Sequence, residues 1–169
     1  MGAASSVTNI VIAGLGGHGV LKASDIVAEA ALRVGRDVKK SEIHGMSQRG
    51  GSVTSDVRFG REVLSPMVPP GEADYLVVLA EDQVAPNEAQ LRNAGVLIHP
   101  GMLEGVRISN KRTTNVALLG VLSAWLDIPP AVWIEAIHAH LPSKFHTVNL
   151  AAFETGRAVG TQLKIGGKQ

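Results

Sequence analysis

Gly14, Gly16 and Gly19 stand in a G-x-G-x-x-G arrangement within Gly14-Leu15-Gly16-Gly17-His18-Gly19, after an apolar run and before a stretch of helical periodicity. Residues without side chains let backbone amides approach a pyrophosphate, and the amides that open a helix attract its charge. A dinucleotide site also needs an acid at the end of the second strand, about 20 residues on, to hold a ribose hydroxyl. Lys39, Lys40 and Glu42 occupy that region. Glu42 is the one acid and comes late, while the lysines suit a phosphate. The other reading of the loop is a tight strand-to-helix turn packed closely on a neighbour. Each glycine loses roughly 0.5–1 kcal/mol of chain entropy relative to alanine, so some close approach must offset four of them in six residues. Val20 stands where a Walker A loop has its lysine, which excludes that motif.

Gln48-Arg49-Gly50-Gly51 is the second informative loop. An arginine before two glycines places exposed amides beside a fixed cation, an arrangement suited to phosphate or carboxylate. Arg49 could equally cap a helix or pair with an acid of a partner chain. The six histidines do not form a metal-ligand pattern. His138 and His140 lie two apart on a predicted helix and so point to opposite sides. His18 and His44 fall in the two glycine loops, where they could meet at the carboxyl edge of a sheet, and a packing or hydrogen-bonding role suits them. Within Arg112-Thr113-Thr114-Asn115, Thr114 or Asn115 is expected to cap the helix that follows, with a polar contact from this segment to a ligand as the secondary reading. No Ser/His/Asp set, paired carboxylates or lysine in an apolar stretch stands out.

The elements that must position these loops are legible in the apolar pattern. Val7–Ala13 ends in a continuous apolar run, as in a strand buried on both faces of a parallel sheet. A helix is predicted over Val20–Val34, with Ile26, Ala30 and Val34 on one stripe and Gly35 closing it. Val38–Ile43 predicts a second strand. Ser52–Phe59 alternates, and Gly60-Arg61 is expected to turn the chain back into Glu62–Ser65 as an antiparallel hairpin. Asp74–Ala80 is the clearest buried strand. A helix over Asn87–Asn93, a strand over Val96–His99 and an extended piece over Val106–Ser109 follow. The last third reads as helices at Asn115–Trp125, after Pro129-Pro130, and at Asn149–Val159. Alternating strands and helices predict an α/β fold: a mainly parallel, Rossmann-like sheet with flanking helices and one antiparallel hairpin.

The chain has 169 residues, enough for one domain with one core. Only 18% of residues are charged, against roughly 25% in ordinary globular proteins, which points to surface covered by a partner. A net charge of +1 excludes the basic stripe of a nucleic-acid binder. No apolar run reaches the ~18 residues of a membrane span, and Met1–Ser6 lacks the features of a secretory signal. The absence of cysteine excludes disulfides, thiol nucleophiles and cysteine-ligated clusters on this chain, and suits a cytoplasmic protein.

Ile10–Gly19 (IVIAGLGGHG), Ala23-Ser24-Asp25-Ile26, and Ser41–Gly51 (SEIHGMSQRGG) followed by Ser52-Val53 resemble the gamma subunit family of 2-oxoacid:acceptor oxidoreductases. The register continues through Ser65-Pro66, Gly71-Glu72-Ala73-Asp74, Asn115 with Leu119-Gly120, and Ala152-Phe153-Glu154, nearly the whole chain. The HGMSQRGG loop is most similar to the indolepyruvate branch, whose small (beta) subunit it resembles, with phenylglyoxylate-type enzymes as relatives. His18 departs from the glutamine expected in that loop, which leaves the loop's role with its backbone. The resemblance implies one gamma-type domain over residues 1–169, with 1–6 and 164–169 as frayed tails. It implies a subunit that is not catalytic alone, in a complex that oxidatively decarboxylates a 2-oxoacid with coenzyme A as co-substrate. Ferredoxin or another acceptor takes the electrons. Thiamine diphosphate, magnesium and iron–sulfur clusters then belong to larger partner subunits. No cofactor is carried by this chain alone, and its candidate contacts to coenzyme A or those partners are Gly14, Gly16, Gly17, His18, Gly19, Gln48, Arg49, Gly50 and Gly51. The alternative that needs no partner is a stand-alone oxidoreductase binding a nicotinamide or flavin dinucleotide.

Overall fold

The computed structural model describes residues 6–45 and 51–167. Five strands, β1 (Thr8–Leu15), β2 (Asp37–His44), β3 (Ser52–Gly60), β4 (Ala73–Val78) and β5 (Leu91–Ile98), form one sheet in the order β2-β3-β1-β4-β5. β4 pairs parallel with both β1 and β5, while β3 lies antiparallel between β2 and β1. Four strands therefore run one way and β3 opposes them, so the expected α/β class holds. The antiparallel hairpin is made by β2 and β3. With both edges of β3 occupied, Glu62–Ser65 has no ladder to join. It leaves the sheet instead, the Val63 N–H donating to Asp37 Oδ2 at 2.7 Å and the Ser65 carbonyl accepting from Arg58.

Helices α1 (Val20–Arg33), α3 (Thr114–Ser123), α4 (Pro130–His140) and α5 (His146–Gly166) pack on one face of the sheet; the short α2 (Val84–Asn87) lies on the other. The period-2 pattern of the strands divides the core. Ile10, Ile12, Val57, Val77 and Ile98 meet the large helical layer, while Val11, Ala13, Leu76 and Val78 meet Val68 and the α2 region. α1 ends in a paired turn: Gly35 (φ +80°) donates to Leu32 O and Arg36 to Ala31 O, which satisfies two carbonyls that the helix leaves open. α3 and α5 meet backbone to backbone, because methyl groups at Gly120, Gly156 and Gly160 would overlap Phe153 O, Ala117 O and Val121 O. Trp133 of α4 and Phe153 of α5 pack with ring centroids 5.9 Å apart.

Three expectations shift. The helix predicted over Asn87–Asn93 is divided, α2 ending at Asn87 and β5 beginning at Leu91, with a 3-10 turn at Glu88–Gln90 between them. Val106–Ser109 is irregular, and α5 runs to Gly166 rather than to Val159.

Candidate functional site at the carboxyl edge of the sheet

β1 delivers the first glycine loop to the carboxyl edge of the parallel strands. The Gly16 N–H donates to Gly51 O at 2.9 Å, so the end of the second glycine loop meets the first. Gly51 is thus brought to the site, while Gln48, Arg49 and Gly50 lie outside the described residues. Within the first loop the glycines have separate causes. A side chain at Gly14 would strike Val20 and Leu79; at Gly19 (φ +80°) it would meet Asn115 Nδ2 at 2.5 Å. Gly17 (φ +88°) faces open space. The tight packed turn therefore accounts for Gly14 and Gly19, and leaves the backbone at Gly17 accessible.

The loop forms a ridge between two depressions that share Gly17. On the β2–β3 side is a mostly apolar groove of about 490 Å3, lined by Gly16, Gly19, Val20, Leu21, Lys22 and His44 among others. α1 starts beside it with no side-chain cap on its first turn. Ala23 is the first amide to close a helical bond, onto Gly19 O. The Val20, Leu21 and Lys22 amides consequently lack intrahelical partners and favour an anion. On the β4–β5 side is a cleft of about 640 Å3, lined by His18, Leu79, Ala80, Glu81, Pro100, Lys111, Arg112 and Asn115 with Gly17. His18 and His44 therefore sit on opposite sides of the ridge instead of meeting.

Sequence reasoning missed Glu81 and Lys111 of the second cleft and gave Arg112 only a secondary reading as a ligand contact; all three come from loops after β4 and β5. His99 Nδ1 lies 2.9 and 3.0 Å from the two Glu81 oxygens, and the Gly101 N–H donates to Glu81 at 3.0 Å. The hydrogen bond from His99, aided by that amide, holds the Glu81 carboxyl below its ordinary range. This pair ties the exit of β5 to the exit of β4. The Lys111–Thr113 turn is braced by Asn110, whose Oδ1 accepts the Arg112 N–H at 2.9 Å and whose carbonyl accepts the Thr113 hydroxyl at 2.6 Å. Asn110 thus takes the capping role expected of Thr114 or Asn115. The 3-10 turn before α3 moves the open amides back by one turn, and Asn115 reaches Gly19 O instead. The position of these residues could be anticipated only from topology, since loops after parallel strands converge at this edge.

The dinucleotide reading loses its acid here. β3 separates β2 from β1, which puts Glu42 two strand spacings, about 10 Å, from the strand that carries the loop. The β2 lysines are also engaged, Lys40 with Asp25 and Glu42, and Lys39 with Asp37 at 3.5 Å. Elsewhere His138 stacks on His146 at 4.3 Å and His140 approaches Glu29 at 3.6 Å. Among the described residues no group of three or more His, Asp or Glu is placed to hold a metal ion, and no helix is long and apolar enough to cross a membrane.

Residues 9–104 match the family described as pyruvate ferredoxin/flavodoxin oxidoreductase. The chain is 33% identical to indolepyruvate oxidoreductase subunit IorB of Thermococcus kodakarensis, with 88% of this chain and 93% of the relative covered. The IorB subunit of Pyrococcus horikoshii is 32% identical over the same shares. The gamma subunit of a keto/oxoacid ferredoxin oxidoreductase from Geobacter sulfurreducens shares the fold (TM-score 0.77, 20% identity, 94% and 98% covered). So does a 2-oxoglutarate:ferredoxin oxidoreductase chain from Magnetococcus marinus (TM-score 0.80, 18% identity), where the match takes 94% of this chain but 32% of that longer one. A match over more than half the chain, with relatives one-third identical along nearly their whole length, makes this chain a member of the pyruvate ferredoxin/flavodoxin oxidoreductase family.

Proposed function

We propose that this chain is the small subunit of a cytoplasmic complex that oxidatively decarboxylates an aryl 2-oxoacid, such as indolepyruvate or phenylglyoxylate. The products are the acyl-CoA and carbon dioxide, with electrons passed to ferredoxin or another acceptor. The names of the relatives at 30–33% identity support the substrate. The observation that carries the chain's own role is the pair of glycine loops joined through Gly16 and Gly51 beside the open amides of α1. Uncapped amides beside glycine backbone suit a phosphate, which supports this reading. The chain's task is then to bind and position.

In this reading the Val20, Leu21 and Lys22 amides hold a phosphate of coenzyme A, and Gly17 lets the ligand lie against the backbone. Arg49 contributes a cation to the same phosphate or to an acid of the partner, and Gln48 and Gly50 offer that ligand amide groups. Iron–sulfur clusters need thiolates that this chain lacks. The clusters accordingly reside on larger subunits, and this reading assigns thiamine diphosphate and magnesium to those subunits as well. Thiamine diphosphate, when bound there, supplies carbanion stabilisation.

Co-expression with those subunits and measurement of ferredoxin reduction tests the reading. Indolepyruvate should exceed pyruvate and 2-oxoglutarate in kcat/KM by at least about tenfold, because a pocket shaped for an aryl group binds small acids poorly. Reduction should also require coenzyme A. A preference for pyruvate or 2-oxoglutarate would overturn the aryl assignment; turnover without coenzyme A would overturn the role of the loops.

A further inference from the structure

The amino edge of the sheet lies at the other end of the strands from the glycine loops, and it carries a cleft of its own. Register sets Thr8 opposite Phe59 and Ile10 opposite Tyr75. Because side chains alternate along a strand, Thr8, Phe59 and Tyr75 all stand on the helical face. The connection from α3 to α4 brings Trp125 and Asp127 to them, and the turn after α1 brings Arg36. Together they line a cleft of about 260 Å3. The Tyr75 hydroxyl donates to Trp125 O at 3.5 Å, a long bond that it can exchange for a better partner. Burial, with the charge of Asp74 acting in the same direction, holds the Tyr75 phenol above its ordinary range, so it stays a neutral hydroxyl.

Arg36 and Asp127 are both exposed, and neither forms an ion pair among the described residues, with each other or with another group. A cation and an anion that share a cleft without closing on each other leave room for a ligand bearing both charges. Phe59, Tyr75 and Trp125 are half of the chain's Phe, Tyr and Trp residues, so the rest of the lining suits a flat apolar ring. The volume falls below the roughly 300–1,000 Å3 of sites for drug-sized ligands, which restricts the occupant to one small molecule. We infer that this cleft binds an aromatic α-amino acid, its carboxylate on Arg36, its ammonium on Asp127 and its ring against Phe59, Tyr75 and Trp125. The eight residues of β1, roughly 25 Å of strand, separate it from the glycine loops, so the two ends can be occupied together. The inference goes beyond the function proposed above and does not rest on it.

Calorimetric titration of the full chain, alone and in the co-expressed complex, with L-phenylalanine, L-tryptophan and L-alanine tests it. At least one aromatic amino acid should bind with Kd of about 1 mM or tighter, and L-alanine at least about tenfold more weakly. Arg36→Gln and Asp127→Asn should each weaken the aromatic ligand about tenfold, as loss of a charge-assisted contact implies. Arg36→Lys and Asp127→Glu keep the charges and should retain most of the affinity. An unchanged melting temperature confirms that these surface variants fold, and the comparison of the three amino acids needs no variant. No binding of either aromatic amino acid at about 10 mM overturns the inference, as does equal binding of L-alanine or an affinity that survives both charge removals. Binding to the chain alone that is lost in the complex overturns it too, since a partner subunit then covers the cleft. None of these outcomes alters the subunit reading, which the ferredoxin-reduction assay decides by itself.

Discussion

At Gly19 the backbone is left-handed and Asn115 Nδ2 fills the space of a side chain, whereas at Gly17 the backbone is left-handed with nothing within 4 Å. The two glycines should therefore respond differently to substitution. Gly19→Ala combines a disfavoured φ with a collision and should lower unfolding free energy by about 2 kcal/mol. Gly17→Asn suits a residue that tolerates the left-handed region, and should change stability by under about 1 kcal/mol. Urea unfolding of both variants checks the pair. Asp56 gives a residue-scale pH prediction. Burial pushes its carboxyl above the ordinary range, against the Val68 amide that donates to it at 2.8 Å and the nearby charge of Arg58. A raised acid favours the protonated folded state, so its penalty grows as pH rises from the ordinary carboxylate range through the raised value. Asp56→Asn keeps an acceptor for Val68 and removes the charge. Its melting temperature relative to wild type should be higher near about pH 7 than near about pH 4. A difference that is flat or runs the other way would contradict the burial argument.

Among elements, the α3–α5 contact is the most exacting. Gly120, Gly156 and Gly160 let two helices approach until carbonyl groups stand where methyl groups would be. Gly156→Ala would gain helix propensity of about 1 kcal/mol, but the overlap with Ala117 O forces the helices apart. A net loss of about 2 kcal/mol is expected in denaturant unfolding; a neutral or stabilising outcome would show that the contact is loose. The same scale shows what the sequence could disclose. β1, α1 with its Gly35 stop, and β4 were legible because each is a run of one period ended by a turn residue. The partner of β3 was not. Ser52–Phe59 alternates as an antiparallel strand should, but alternation does not say which strands flank it. The nearest candidate, Glu62–Ser65, lost to β2 and β1, which occupy both edges. Likewise the short apolar stretch around Val84 and Leu91 carried too few residues to distinguish a helix from the start of β5.

The whole molecule places one helical layer against a five-stranded sheet and gathers its loops at one edge. Half of the candidate site was visible before the fold: the first glycine loop and its helix, where motif and element are contiguous. Lys111 and Glu81 were not, and Arg112 only as a secondary ligand contact, because the loops after β4 and β5 are far from Gly17 in sequence and meet it only through the strand order. Topology also decided between readings that the motif left open, since β3 removes Glu42 from the place a ribose-binding acid must occupy. A charged fraction of 18% fits a surface that is covered in a larger assembly. Whether this chain works inside such an assembly is decided by native mass spectrometry of the tagged chain isolated from its own host. The expected result is the 17.7 kDa chain bound to larger subunits that carry thiamine diphosphate and iron–sulfur clusters. A lone chain, or copies of it alone carrying a nicotinamide or flavin, would contradict it.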